Sequence, residues 1–144
     1  ADGDADDAEG DGDRKRRGRD DDGGECEDEA AATAAARQLL GYFQGDLDQW
    51  DSADQAALRD LVPEDRRWGY PVRRVIETLA DTGSFLELGR VHGRSVVTGF
   101  LRIEGRPVAL LANDCQQLGG AVDAEAAEKA ARFLGTCNAL RMPV

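Results

Sequence analysis

The sequence has few of the residues from which metal sites and disulfide frameworks are built. Its 144 residues include three cysteines and one histidine, and no two cysteines have C-x-x-C spacing. This pattern favours neither a disulfide framework nor a zinc site, and we expect no metal. No run of 18 apolar residues is present, and the N-terminal region has no apolar segment typical of a signal peptide. We therefore expect no membrane partner and a location in the cytoplasm, where thiols stay reduced.

Large apolar side chains are missing from the first 24 residues, which consist almost entirely of Asp, Gly, Glu, Ala and Arg. Such a segment cannot bury enough apolar surface to offset the entropy of ordering, so 1–24 is predicted to be a disordered acidic tail. Residues 1–30 contain 14 acidic and five basic residues, whereas the other 114 contain 15 and 13, so the tail carries most of the net charge of −11. The basic run 14–19 could bind nucleic acid. The aspartates on both sides favour a solvated linker instead, and no nucleic-acid partner is expected.

Three helical segments are predicted before residue 81. Residues 26–43 have an Ala-rich start and an apolar end, and Ser52 is a candidate cap for a short helix ending before Pro63. Residues 72–80 have apolar residues at helical spacing: Val72, Val75, Ile76 and Leu79. An arginine cluster lies between and within the last two segments. It could meet a phosphate, but a solvated or interface face is favoured. Its members are Arg66, Arg67, Arg73 and Arg74.

Two single titratable residues follow, and neither has a pattern that indicates catalysis. Glu87 lies in a short predicted strand with Phe85, Leu86 and Leu88, where a surface charge or an ion pair is favoured over a general base. His92, beside a glycine, has no Ser or Cys partner at recognisable spacing, which argues against nucleophilic catalysis.

A β-hairpin is predicted over residues 95–113. The first strand, 95–103, is rich in β-branched residues, with Thr98 and Arg102 expected on its wetter side. Glu104-Gly105-Arg106 forms the connection, in which glycine supplies a positive φ. Pro107 opens the second strand, where its missing N–H is tolerated. The continuous apolar run 108–111 predicts a strand buried on both faces.

A long helix is predicted from Asp123 to about Leu140, with acidic residues at its start that suit the helix dipole. Its apolar stripe and its charged residues are expected on different faces. The stripe is Ala126, Ala127, Ala130, Phe133, Leu134 and Cys137; the charged residues are Glu125, Glu128, Lys129 and Arg132. Residues 142–144 would start a parallel strand and complete an α/β unit. Ligands in such folds gather at the carboxyl ends of strands and at helix N-termini, here the loop 111–123.

These segments, in this order, resemble the carboxyltransferase (beta) subunit of biotin-dependent acyl-CoA carboxylases, the acetyl-CoA and propionyl-CoA carboxylase family. The resemblance covers roughly residues 35–144 and is to the second half of that subunit. Residues 36–45 (ARQLLGYFQG) resemble the bridge between its halves. The segments that carry it are Leu61-Val62-Pro63, VRRVIETLADTGSFLEL (72–88), VVTGFLRIEGRPVALLAN (96–113) and LGGAVDAEAAEKAARFLGTCNALRMPV (118–144). The chain departs from the family at Tyr70-Pro71, at Asp114-Cys115 and at Cys137-Asn138-Ala139-Leu140.

The resemblance implies an α/β, crotonase-like fold of β-β-α repeats, which would be incomplete here. It divides the chain into the tail 1–24, a helical linker 25–62 and the start of a biotin-accepting domain at 63–144. The half that binds acyl-CoA would lie upstream. An Asp-x-Pro-Gly-Phe motif, and the glycine-alanine pair that forms an oxyanion hole in this half of the family's subunit, would follow Val144. We therefore expect a piece of a longer polypeptide, inactive alone and homo-oligomeric when complete, as a hexamer built from dimers.

The same resemblance implies an enzyme that moves carboxyl from carboxybiotin to the α-carbon of an acyl-CoA. The biotin would sit on a partner carrier, and biotin carboxylase would be a further partner. Negative charge develops on oxygen in such a reaction, and fixed backbone N–H groups stabilise it. The candidates are the amides of Gly119 and Gly120, with Asn113 shaping the biotin side of the loop; a plain turn into the helix is an equal alternative. A crotonase-like decarboxylase subunit and a truncated, non-catalytic interaction module are the other functions left open.

Overall fold

The computed structural model describes residues 29–65 and 67–144. The predicted acidic tail, Cys26 and Arg66 lie outside these ranges. The described chain contains α1 (Glu29–Gly41), a 3₁₀ turn (Gln55–Ala57), α2 (Leu58–Leu61), α3 (Val72–Leu79), β1 (Leu86–Leu88), β2 (Val96–Ile103), β3 (Arg106–Asn113), a second 3₁₀ turn (Leu118–Gly120) and α4 (Ala124–Leu140). No helix in these two ranges is long and apolar enough to cross a membrane.

The three strands form one antiparallel sheet in the order β1-β2-β3. β2 is central, and seven of its eight residues are buried. β3 lies at the edge, and only Ala109 is buried there. The prediction that the run 108–111 is buried on both faces is therefore wrong. Ala109 packs on one face and Val108 and Leu110 pack on the other, but these two stay partly exposed and Leu111 is exposed. The apolar run correctly predicted a strand but did not predict the position of that strand in the sheet.

The predicted hairpin is confirmed, with a tighter turn. Ile103 pairs with Arg106, so the connection is the two residues Glu104 and Gly105, and Arg106 belongs to β3. Both turn residues have positive φ, 52° and 77°. That conformation matches the twist of the flanking strands in two-residue hairpins, and it favours glycine at the second position.

Two apolar clusters cover the two faces of the sheet. On one face Phe100 packs against Phe133 and Cys137 of α4 and against Tyr42, which follows α1. On the other face Val97 and Leu101 pack against Val72 and Ile76 of α3 and against Ala80, just after it. The predicted apolar spacing is confirmed at Val72 and Ile76, whereas Leu79 is exposed. Alternate β2 residues thus supply both clusters, as a central strand requires.

Thr98 and Arg102 share the buried face of Phe100 instead of a wet face. They are 1% and 6% exposed. Burial is possible because their polar groups are used: Thr98 Oγ1 donates to the Leu88 carbonyl at 2.9 Å. The Arg102 guanidinium donates to the carbonyls of Gly41, Gly45 and Gly105.

Helix α4 begins and ends as predicted, but its buried face is rotated. The Asp123 carboxylate accepts a hydrogen bond from the Ala126 N–H at 2.8 Å and caps the helix. Lys129 is buried, whereas Ala127 and Leu134 are exposed. The stripe prediction was wrong on these three residues. The buried face follows Ala126, Lys129, Phe133 and Cys137, and Lys129 can lie on it because its ammonium donates to the Val96 carbonyl.

Two smaller predictions also fail. Asp54, not Ser52, caps the turn before α2, since its carboxylate accepts from the Ala56 N–H at 2.9 Å. Residues 142–144 form no strand; the Pro143 carbonyl only accepts one hydrogen bond, 2.8 Å long, from the Ala109 N–H at the outer edge of β3. Pro143 has no N–H to return, which limits the pairing.

Candidate active site

The candidate site is residues 113–120, which we call the site loop. It leaves the carboxyl end of β3 and leads toward the N-terminus of α4, where the sequence placed it. Leu118, Gly119 and Gly120 follow one another with φ of 50°, 64° and 81°. This left-handed conformation costs about 1–2 kcal/mol at a residue with a Cβ, so Leu118 is strained. Its side chain is also 66% exposed. Local strain of this kind often marks a functional site.

The two predicted oxyanion donors have different surroundings. The Gly120 N–H donates to the Gln117 carbonyl at 2.8 Å and so closes the turn. The Gly119 N–H makes no hydrogen bond within residues 29–65 and 67–144. A Cβ built on Gly119 would meet no atom within 4 Å. Open space therefore lies on the Cβ side of Gly119, and its N–H is unpaired among the described residues, whereas the Gly120 N–H is already used.

Asn113 is the last residue of β3, and its predicted role in binding biotin stays a prediction. Its Nδ2 donates to the Gly120 carbonyl at 2.7 Å and ties the end of the loop to the end of β3. Its side chain thus restrains the loop from the solvent side, since Asn113 itself is exposed.

Beneath the loop lies a group of four charged side chains that we call the charged network: Arg73, Glu87, Asp114 and Lys129. Arg73 of α3 forms a two-pronged ion pair with Glu87 of β1, at 2.7 and 2.9 Å. Its Nη1 also donates to the Asp114 carboxylate at 2.6 Å. Lys129 of α4 donates from Nζ to the Val96 carbonyl at 2.7 Å. The network joins four elements at one end of the sheet.

The network's charges balance, and its burial affects their protonation. Pairing with Glu87 raises the pKa of the Arg73 guanidinium further above its ordinary value, against desolvation, and Asp114 adds to the rise. Desolvation lowers the pKa of Lys129, and the attraction of Glu87 partly offsets it. Two cations face two carboxylates, which is the condition under which buried charge is tolerated.

Glu87 is in an ion pair, one of the two environments that the sequence favoured. In the predicted arginine cluster, Arg67, Arg73 and Arg74 have different environments. Arg67 pairs with Asp65 at 2.7 Å on the surface. Arg74 is exposed, as predicted for a solvated face. The Arg73 side chain is half-buried and pairs with the carboxylates of the charged network. His92 Nδ1 lies 3.9 Å from a carboxylate oxygen of Glu125, in the first turn of α4.

The segment before α3 supports the back of the site loop. The Tyr70 N–H donates to Cys115 Sγ at 3.2 Å, and the thiol donates to the Tyr70 carbonyl at 3.3 Å. A Cβ built on Gly69 would lie in van der Waals contact with Cys115 and Gln116. Trp68 next to it is 71% exposed.

The sequence indicated the amides and Asn113 but not the network. Asp114 was visible only as a departure from the family pattern, and Lys129 only as a polar-face residue. The one usable signal was chemical: Glu87 lies in an apolar strand, where a carboxylate needs a partner.

Comparison with known proteins shows which family the sequence of this chain matches. The model of the carboxyl transferase domain matches residues 25–144. The methylmalonyl-CoA carboxyltransferase 12S subunit of Propionibacterium freudenreichii subsp. shermanii is 34% identical over 126 residues, covering 82% of this chain and 24% of that protein. The propionyl-CoA carboxylase beta chain of Saccharopolyspora erythraea is 44% identical over 134 residues, covering 81% and 24%. The chain thus spans about a quarter of the length of these relatives.

Comparison with solved structures indicates the same family. A single-chain, multi-domain long-chain acyl-CoA carboxylase superposes with a TM-score of 0.79 at 48% identity, over 81% of this chain and 12% of that one. The transcarboxylase 12S subunit superposes with a TM-score of 0.70 at 33% identity, over 81% and 25%. The crotonase-like α/β fold expected from the sequence is confirmed, with β2, β3 and α4 as a β-β-α unit. This chain belongs to the carboxyl transferase domain family.

Proposed function

We propose that this chain is part of the biotin-accepting half of a carboxyltransferase subunit that moves carboxyl from carboxybiotin to the α-carbon of an acyl-CoA. The family and the relatives' names support this activity. The observation that carries the proposal within the chain is the Gly119 N–H, which has no hydrogen-bond partner among the described residues and lies in a left-handed turn after β3.

Biotin, borne by a partner, would supply the carboxyl group and the base for the α-carbon. The chain's own contribution is electrostatic. An oxygen that becomes negative can approach Gly119 closely, because no Cβ stands in the way. A backbone donor already fixed in place needs no reorganisation as the charge develops, which is the source of its effect. Gly120 and Asn113 hold that donor, since their hydrogen bonds close the turn around it.

Partners and assembly are proposed from the relatives. One relative is named a biotin-dependent acetyl-/propionyl-coenzyme A carboxylase beta6 subunit, from Mycobacterium tuberculosis. The transcarboxylase 12S structure is described as a hexamer assembly. We propose that the complete subunit works with a biotin carrier and a biotin carboxylase, forms a homo-oligomer and acts in the cytoplasm.

We also propose the boundary at residues 62 and 63 between a helical linker and the biotin-accepting domain. The linker would be docked, because Tyr42 is 3% exposed in the cluster around Phe100. Arg102 also donates to two linker carbonyls, those of Gly41 and Gly45.

The test is Gly119→Val in the complete subunit, assayed for carboxyl transfer from a carboxylated biotin carrier to propionyl-CoA. A β-branched residue at this φ shifts the turn, and loss of one oxyanion donor lowers kcat about 100-fold or more. Gly83→Val is the matched control, because Gly83 also has a left-handed φ, +70°, with nothing within 4 Å. Activity that survives Gly119→Val, or an equal loss in both variants, would remove Gly119 from the site.

A further inference from the structure

Asp114 is the residue through which the site loop is attached to the rest of the fold. It is 1% exposed and directly follows Asn113. One carboxylate oxygen accepts from Arg73 Nη1 at 2.6 Å and the other from the Gln116 N–H at 3.0 Å. Its backbone N–H donates to the Ser95 carbonyl at 2.8 Å, and its carbonyl accepts from the Gln117 N–H at 3.0 Å. Four hydrogen bonds therefore fix one residue at the start of the loop.

The hydrogen bonds that follow Asp114 in the loop restrain the chain on both sides of Gly119. Gln117, which donates to the Asp114 carbonyl, accepts in turn from the Gly120 N–H at 2.8 Å. Gly119 lies between these two bonded residues. The direction of its N–H thus depends on where Gln117 is held, and Gln117 is held by Asp114.

The guanidinium that grips Asp114 is itself fixed. Glu87 binds Arg73 from the other side with two hydrogen bonds, a geometry that restricts rotation of the planar fork. Arg73 lies on a helix and Glu87 on a strand, so the anchor point belongs to the rigid part of the fold. Lysine could not replace this fork, because it offers a single flexible ammonium.

We propose that Arg73 and Asp114 are positioning residues that set the direction of the Gly119 N–H; the inference rests on the proposed function. Neither side chain reaches the reacting atoms. They act through the loop, and the loop's donor acts on the developing charge. Displacement of a catalytic group by about 1 Å can cost on the order of 100-fold in rate, so a small release of the loop has a large effect.

Asp114→Asn in the complete subunit tests this. The amide has one acceptor oxygen, so it cannot accept from both Arg73 and the Gln116 N–H. We expect kcat to fall about 10- to 100-fold. The KM for propionyl-CoA should stay within about twofold, because in the proposed function the other half of the subunit binds the acyl-CoA. Arg73→Lys should give the same pattern. The double variant should lose little more, because both substitutions release the same anchor.

The matched control is Asp81→Asn. Asp81 is also a buried aspartate, 7% exposed, whose two oxygens accept from the backbone N–H groups of Glu104 and Gly105. It restrains the hairpin turn at the opposite end of β2 from the site loop. We expect a comparable loss of stability and a kcat within about threefold of the unmodified subunit. Equal losses of kcat in Asp81→Asn and Asp114→Asn, or no loss in either, would overturn the positioning role.

A second readout separates this inference from the proposed function. Amide hydrogen exchange in the site loop should become faster in Asp114→Asn and stay unchanged in Asp81→Asn. If the unmodified subunit transfers no carboxyl but exchange changes as expected, the proposed function fails and the anchor stands. If the unmodified subunit is active but neither kcat nor loop exchange responds to Asp114→Asn, the anchor fails and the proposed function stands.

Discussion

Replacement of Gly105 by alanine tests the packing of the linker on the hairpin turn. The new Cβ would lie 2.3 Å from the Leu47 carbonyl oxygen, which is backbone and cannot rotate away. The segment around Leu47 must move, and it then loses the Leu47 N–H bond to the Gly105 carbonyl, 3.0 Å long, and the Arg102 bond to the Gly45 carbonyl. A left-handed alanine costs about 1 kcal/mol. The neutral hydrogen bond adds about 1 kcal/mol and the charged one about 2. We therefore expect the free energy of unfolding to fall by about 4 kcal/mol.

Urea unfolding of the 144-residue chain, followed by circular dichroism, measures this loss. Gly83→Ala is the control, because Gly83 has φ +70° and a Cβ there meets nothing within 4 Å. It carries the left-handed strain without the clash, so its loss should be about 1 kcal/mol. A difference between the two variants below about 1 kcal/mol would mean that the linker does not rest on the turn.

Three further predictions concern core packing, helix capping and cysteine burial. Phe100→Ala should cost about 3–5 kcal/mol by urea unfolding, and Phe43→Ala about 1, since these side chains are 1% and 39% exposed; similar costs would contradict the core assignment. Asp123→Ala should cost about 1 kcal/mol in thermal unfolding, while Asp123→Asn should cost little because its oxygen can still cap; equal losses would exclude the cap. At about pH 8, iodoacetamide should label Cys115 well before Cys137, because burial raises the pKa of the Cys137 thiol and the thiolate reacts. Peptide mass spectrometry measures both, and equal rates would contradict the packing.

Helices were the most predictable part of the fold, because apolar spacing is local. Val72 and Ile76 of α3, and Asp123 at the start of α4, were identified from the sequence and lie where it placed them. Burial of β3 was misjudged, since the run 108–111 does not encode how much of each sheet face the helices cover. Lys129 was misplaced for a similar reason: its burial depends on the Val96 carbonyl, 33 residues away in the chain.

The site was predictable in place but not in detail. A glycine pair between a strand and a helix indicated the loop, because that location recurs in α/β folds. Which amide is unused could not be read from the sequence, since Gly119 and Gly120 differ only in the turn's hydrogen bonds. The anchor required Arg73 and Asp114 to be near each other, although they are 41 residues apart.

The charged network also limits how this sequence can change over generations. Arg73, Glu87, Asp114 and Lys129 are mutually neutral, so replacement of any one leaves an unbalanced charge in a buried place, typically at a cost of about 3–5 kcal/mol. Such a step would remove much of a domain's margin of stability, commonly about 5–15 kcal/mol. Substitutions that come in pairs, one cation with one carboxylate, avoid that step. We expect variation among descendants of this chain to be linked at these positions and independent at exposed ones such as Arg74 and Glu128.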